Sequence, residues 1–157
     1  GVSHELVFVS HILTNCIISI VQVALLDVTA FVLFNNPNNS SWWLHFAFFI
    51  VQSLNAMSLG FVISSVIDNE VACLIMVWFI TIPQILSSGV FWPLESIRRP
   101  LNYIFYLWPL SIPVQTIRHI MLQGWTLSNV YVQYGFLSSG IPMIFFFYAA
   151  LLIFKHK

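Results

Sequence analysis

Asp27 is the one carboxylate set well inside a long apolar run of this 157-residue chain. A charge placed at the centre of a bilayer costs about 3 kcal/mol or more, so such a residue needs a reason to be there. Two readings are open. Asp27 lies about two turns before the expected end of its helix, where headgroups or a wet cleft would solvate it; alternatively it belongs to a polar pathway or pairs with Arg118. Gln52 and Asn55 bring amide groups into a second apolar run, and Gln84 follows Pro83 in a third. These three amides and Asp27 are the candidate pathway residues, by polarity and depth. Ala56, Gly60 and Ser64 stand four apart, a small-residue stripe of the kind that lets two helix backbones approach closely in lipid; it reads either as core packing or as the side of a cavity lined by Gln52 and Asn55. Pro83 frees a carbonyl, and the bend it makes is either structural or a gate.

No other residue types are spaced for chemistry. Cys16 and Cys73 both sit in apolar runs and read as small buried hydrophobes. The histidines His4, His11, His45, His119 and His156 are scattered, with no third ligand near the two-turn spacing of His4 and His11. There is no glycine-rich phosphate loop and no nucleophile elbow. We expect no catalytic residues and no metal site in this chain.

The elements that would hold these residues follow from charge-free windows, which cover residues 6–26, 28–67, 71–94, 100–117 and 119–154. A spanning helix needs about 20 apolar residues. The second window is twice that long and is split by Asn35-Asn36-Pro37-Asn38-Asn39-Ser40-Ser41, all turn formers. Spans are therefore expected at about 7–34, 43–66, 71–91 and 135–154. The interval from about 92 to 134 holds Pro93, Pro100, Pro109 and Pro113, the aromatic run from Tyr103 to Trp108, and Arg98, Arg99 and Arg118. Broken backbone at membrane depth is tolerated only within protein or beside a wet cavity, so this interval reads as re-entrant or interfacial. Inside it a short helix opens after Ser111 and runs to about Gln123. Gln115, Arg118, His119 and Gln123 can share one of its faces, with Ile112, Ile117, Ile120 and Met121 largely on the other. Between the second and third spans, Asp68 is placed to cap the helix that follows.

Composition agrees with the segmentation. Hydrophobic residues make up 59% and charged residues 6%, with mean hydropathy +0.91. Soluble domains carry about 25% charge, so a soluble fold is excluded, and so is disorder. Five basic against five acidic residues leave no patch for nucleic acid. The fold class is all-α integral membrane, with four transmembrane helices and a re-entrant or interfacial helical segment before the last. Topology is left open by the charges. Lys155 and Lys157 on one side are outvoted by Arg98, Arg99 and Arg118 on the other, whereas overlapping sequons at Asn38 and Asn39 would place that loop outside. A free-standing four-span channel, scaffold or assembly factor fits composition and spans equally well.

Four stretches resemble a known family, in its order. Gly1-Val2-Ser3-His4-Glu5-Leu6 is similar to the coupling segment ahead of the third transmembrane helix of type-2 ABC exporters. Gly60 to Ser65 with Asp68-Asn69-Glu70 resembles the end of the fourth helix and its inner turn. Ser88 to Glu95 resembles the close of the fifth helix, although Arg99-Pro100 just beyond departs from the pattern. Trp108-Pro109-Leu110, Arg118 and Gly124-Trp125 resemble the re-entrant stretch before the sixth. The resemblance is nearest the ABCG and ABCH half-transporters and covers residues 1–157, which would be the C-terminal part of such a transmembrane domain. It implies a permease portion that moves lipids or other hydrophobic small molecules, worked by ATP. The whole protein would be an ATP-hydrolysing translocase. This chain would carry no cofactor, ATP and Mg being held by a nucleotide-binding domain outside it. Val2, Ser3, His4, Glu5 and Leu6 would dock on that domain, and the chain would pair with an identical or sibling half-transporter among membrane lipids. The resemblance also implies a cytoplasmic C-terminus, and a plasma-membrane location is expected. Asp27→Asn is expected to impair transport and to spare surface expression.

Overall fold

The computed structural model describes residues 4–91, 96, 98, 100, 103 and 110–156. Helix α1 (His4–Val28) continues into five residues of π-helix (Thr29–Leu33), and α2 (Trp42–Val66), α3 (Glu70–Ser87), α4 (Ser111–Gln123) and α5 (Val130–His156) follow. No strand occurs among the described residues. Among the described residues four helices are long and apolar enough to cross a membrane, as the charge-free windows require. The 25 residues of α2 make a rod of about 37 Å, more than the roughly 30 Å of hydrocarbon.

Local chemistry sets the ends. Phe34 N–H bonds back to Thr29 carbonyl oxygen, and Asn35 takes φ 52°, a left-handed conformation that asparagine tolerates and that stops the helix. The third span ends at Ser87 rather than near residue 91. The Ser87 side chain turns back and donates to Pro83 carbonyl oxygen at 2.7 Å, within the turn that Pro83 loosens. The cap of α3 is Asn69, not Asp68. Asn69 Oδ1 accepts from the N–H groups of Val71 and Ala72 at 2.9 and 3.3 Å, because the residue next to the helix start is the one whose oxygen reaches those donors. The last span begins five residues earlier than expected, since Asn129 Oδ1 accepts from Tyr131 N–H and Asn129 carbonyl oxygen from Val132 N–H.

Helix α2 is the centre of the bundle. It packs most extensively on α5, less on α1, and α4 lies across the start of both α2 and α5. The core sits there: Phe48, Ile120 and Val132 are fully enclosed, with Leu44, Ile117, Trp125 and Phe136 against them. Phe48 and Phe136 meet edge to face, ring centroids 5.0 Å apart. Where α4 meets α5, the Thr116 side chain lies on Gly135. Helix α3 stands apart; only 6% of its apolar window is buried within the chain.

Candidate functional site

The standing apart of α3 opens a cavity of about 720 Å³ between α2, α3, α4 and α5. Gln52 and Asn55 reach it from α2, Gln84 from α3, and Phe48, Leu59 and Phe146 supply apolar wall. Three of the four candidate pathway residues therefore come together. The reason is geometric. Helices α2 and α3 form a hairpin, and Gln52 and Gln84 are equidistant in sequence from Asp68 at its turn, as are Asn55 and Thr81. Asn55 is about 17 Å from the turn end of α2, near mid-bilayer. Gln52 Nε2 is engaged by Ser139 Oγ of α5, which holds one cavity wall to the next helix. Asn55 Oδ1 is buried and finds no hydrogen-bond partner among the described residues.

Asp27 is elsewhere. It is 2% exposed, so neither headgroups nor a wet cleft solvate it, and it does not line the cavity. Its partner is His45 of α2, Nε2 to Oδ2 3.6 Å, and not Arg118. The Arg118 side chain extends the other way and donates to Gly89 carbonyl oxygen beyond the end of α3. Arg118 thus ties α4 to the end of α3, and no carboxylate among the described residues pairs with it. The expected faces of α4 are also mixed: Gln115 Nε2 is buried without a partner among the described residues, while Ile112 is exposed.

Among the described residues no helix packs onto Gly60, the middle of the small-residue stripe. A methyl group added at Gly60 would meet nothing within 4 Å, and Ala56 and Gly60 line the cavity while Ser64 lines a second groove near Phe61 and Phe154. Small side chains here leave space instead of drawing backbones together.

At the end of the bundle beside residues 35–41, the two sequon asparagines have distinct contacts. Asn38 Oδ1 accepts from Ser40 N–H at 3.0 Å. Asn39 Nδ2 donates to Leu122 carbonyl oxygen at 2.8 Å, and its backbone N–H to Met121 carbonyl oxygen at 2.9 Å. Gly124, at φ 66°, ends α4 against the Asn39 carbonyl, and Trp125 stacks on His119 with ring centroids 4.4 Å apart. In the expected coupling segment, Val2 and Ser3 lie outside the described residues; His4 and Glu5 are helical, and Leu6 is exposed at the start of α1. Pro109, Trp108 and the stretch from Trp92 to Glu95 also lie outside the described residues.

His45, Ser139 and Thr116 are the polar contacts that the sequence analysis passed over. A signal for the first was present: Asp27 and His45 are equidistant from Asn36 at the start of the Asn-rich loop, so a hairpin turning there brings them level.

Comparison with known families matches residues 1–122 to the ABC-2 type transporter family. Among curated proteins the chain is similar to ABC transporter G family member 20 of Dictyostelium discoideum, 28% identical over 157 residues. That alignment takes in 100% of this chain and 22% of the relative, so the chain spans under a quarter of the relative's length. No solved structure matches. Of the two readings that composition and spans left open, the match supports the permease portion of an ABC transporter. With four apolar spans and most of its length matched, the chain belongs to the ABC-2 type transporter family.

Proposed function

We propose that this chain is the permease portion of an ATP-driven exporter of lipids or other hydrophobic small molecules, and that cargo passes through the cavity between α2 and α3. The carrying observation is the cavity itself. It has about 720 Å³ of room at mid-bilayer, within the usual 300–1,000 Å³ of small-molecule sites, and its walls are mostly apolar. Helix α3 buries little of itself within this chain, and a repacking of α3 against α2 is the kind of discrete change that alternating access needs. Arg118 and the Pro83 bend sit where they would transmit or limit that movement.

Pairing with a second half-transporter, ATP and Mg on a nucleotide-binding domain, docking of that domain at residues 2–6, and a plasma membrane location with a cytoplasmic C-terminus belong to the same proposal. The resemblance of the opening residues to a coupling segment supports the docking. The transporter containing this chain, reconstituted into liposomes with a fluorescent lipid, is expected to move the probe only with hydrolysable ATP. Equal movement with a non-hydrolysable analogue would overturn the reading.

A further inference from the structure

The chemistry of the cavity wall narrows what can occupy it. Among the described residues that line it, none carries a charge, so an ionised ligand would be buried without a partner. The polar groups cluster at one level: Asn55 on α2 with Thr81 opposite on α3, and Gln52 with Gln84 next to them. Two polar side chains of the lining are engaged within the protein. Gln52 Nε2 is held by Ser139, and the neighbouring Ser53 Oγ donates to Ile50 carbonyl oxygen at 3.2 Å. Asn55 differs. Its Oδ1 is buried without a donor among the described residues, about half-way along α2. A buried acceptor left unmade is costly, and the amide torsion is soft enough to turn that oxygen toward the cavity.

We infer that the cavity binds an uncharged amphiphile bearing a hydroxyl or amide N–H, which donates to Asn55 Oδ1 while the hydrocarbon body lies against Phe48, Leu59, Ile63 and Phe146. This rests on the reading of the cavity as the cargo site and adds the polar anchor to it. Size and greasiness alone would admit any hydrocarbon of suitable bulk. The anchor makes the site discriminate by a single hydrogen atom.

The test is equilibrium binding, without ATP, of a pyrene-labelled fatty alcohol and its methyl ether to the transporter in nanodiscs, corrected against empty nanodiscs. The ether keeps the shape and the acceptor but has no donor. The alcohol is expected to bind about tenfold tighter than the ether, the weight of one buried hydrogen bond. In Asn55→Leu the two are expected to bind alike. Equal binding of the two probes to the unsubstituted protein, binding of neither, or a preference that persists in Asn55→Leu would overturn the assignment. The comparison on the unsubstituted protein needs no variant to fold. Alcohol preference without ATP-driven movement would instead remove the exporter reading and leave the anchor standing.

Discussion

Asp27 of α1 and His45 of α2 face each other across 3.6 Å with 2% and 0% of their side chains exposed, the one contact between ionisable side chains inside the described part of the bundle. Phe31 lies against the His45 ring at 4.8 Å, and the π-helical turn begins just after Asp27. The Ser41 backbone approaches the His45 ring, and no side-chain hydrogen bond serves either group among the described residues. Each group is therefore tolerable mainly because the other is there.

Removing one partner of such a pair leaves the other buried and uncompensated, a loss of about 3 kcal/mol. Asp27→Asn and His45→Leu are each expected to lower the unfolding temperature in nanodiscs. The double variant Asp27→Leu/His45→Leu is expected to recover much of the loss. Additive losses in that cycle would show that the two do not act as a pair. This placement also changes the expectation for Asp27→Asn: a drop in stability accompanies any drop in transport.

Glycine to alanine should have opposite consequences at two positions. At Gly135 the added methyl would lie within contact distance of the Thr116 side chain, including its rigid Cβ, and must push α4 from α5. A cost of about 1–3 kcal/mol follows. At Gly60 it meets nothing within 4 Å, and the gain in helix propensity makes Gly60→Ala neutral or slightly stabilising. Thermal unfolding of the two variants side by side checks this, and similar losses at both would contradict the packing described.

The Asn39 contacts should be visible in hydrogen exchange. Asn39→Ala deletes the 2.8 Å bond to Leu122 carbonyl oxygen, and Gly124→Ala strains the φ 66° turn beneath it. Both are expected to speed amide exchange over residues 119–124 and to leave α1 unaffected. No change in that segment would mean that the loop does not hold the end of α4.

Much of this architecture was legible from the chain. Spans appear as charge-free windows because lipid tolerates few charges, and the Asn-rich break divides two helices that hydropathy alone would fuse. The level of Gln52, Asn55 and Gln84 could be counted from the turn at residues 67–69. Which way each side chain points could not. A transmembrane helix is apolar on all sides, so the one-sided pattern that orients a helix in water is missing. That is why Asp27 was open to a pairing with Arg118, and why the Ala56-Gly60-Ser64 stripe could be read either as a packing seam or as the border of a cavity beside Gln52 and Asn55. The Thr116–Gly135 contact was hidden for the same reason, its two residues lying on different helices with no local motif.

The most direct test of the account fills the cavity. Ala56 lines it and has no side-chain hydrogen bond to lose. Ala56→Trp, in the transporter reconstituted with a fluorescent neutral lipid, is expected to cut ATP-dependent movement of the probe at least about tenfold, a barrier change of about 1.4 kcal/mol, while folding and ATP hydrolysis persist. Movement at the unsubstituted rate, with the tryptophan in place and the protein folded, would show that cargo does not pass between α2 and α3.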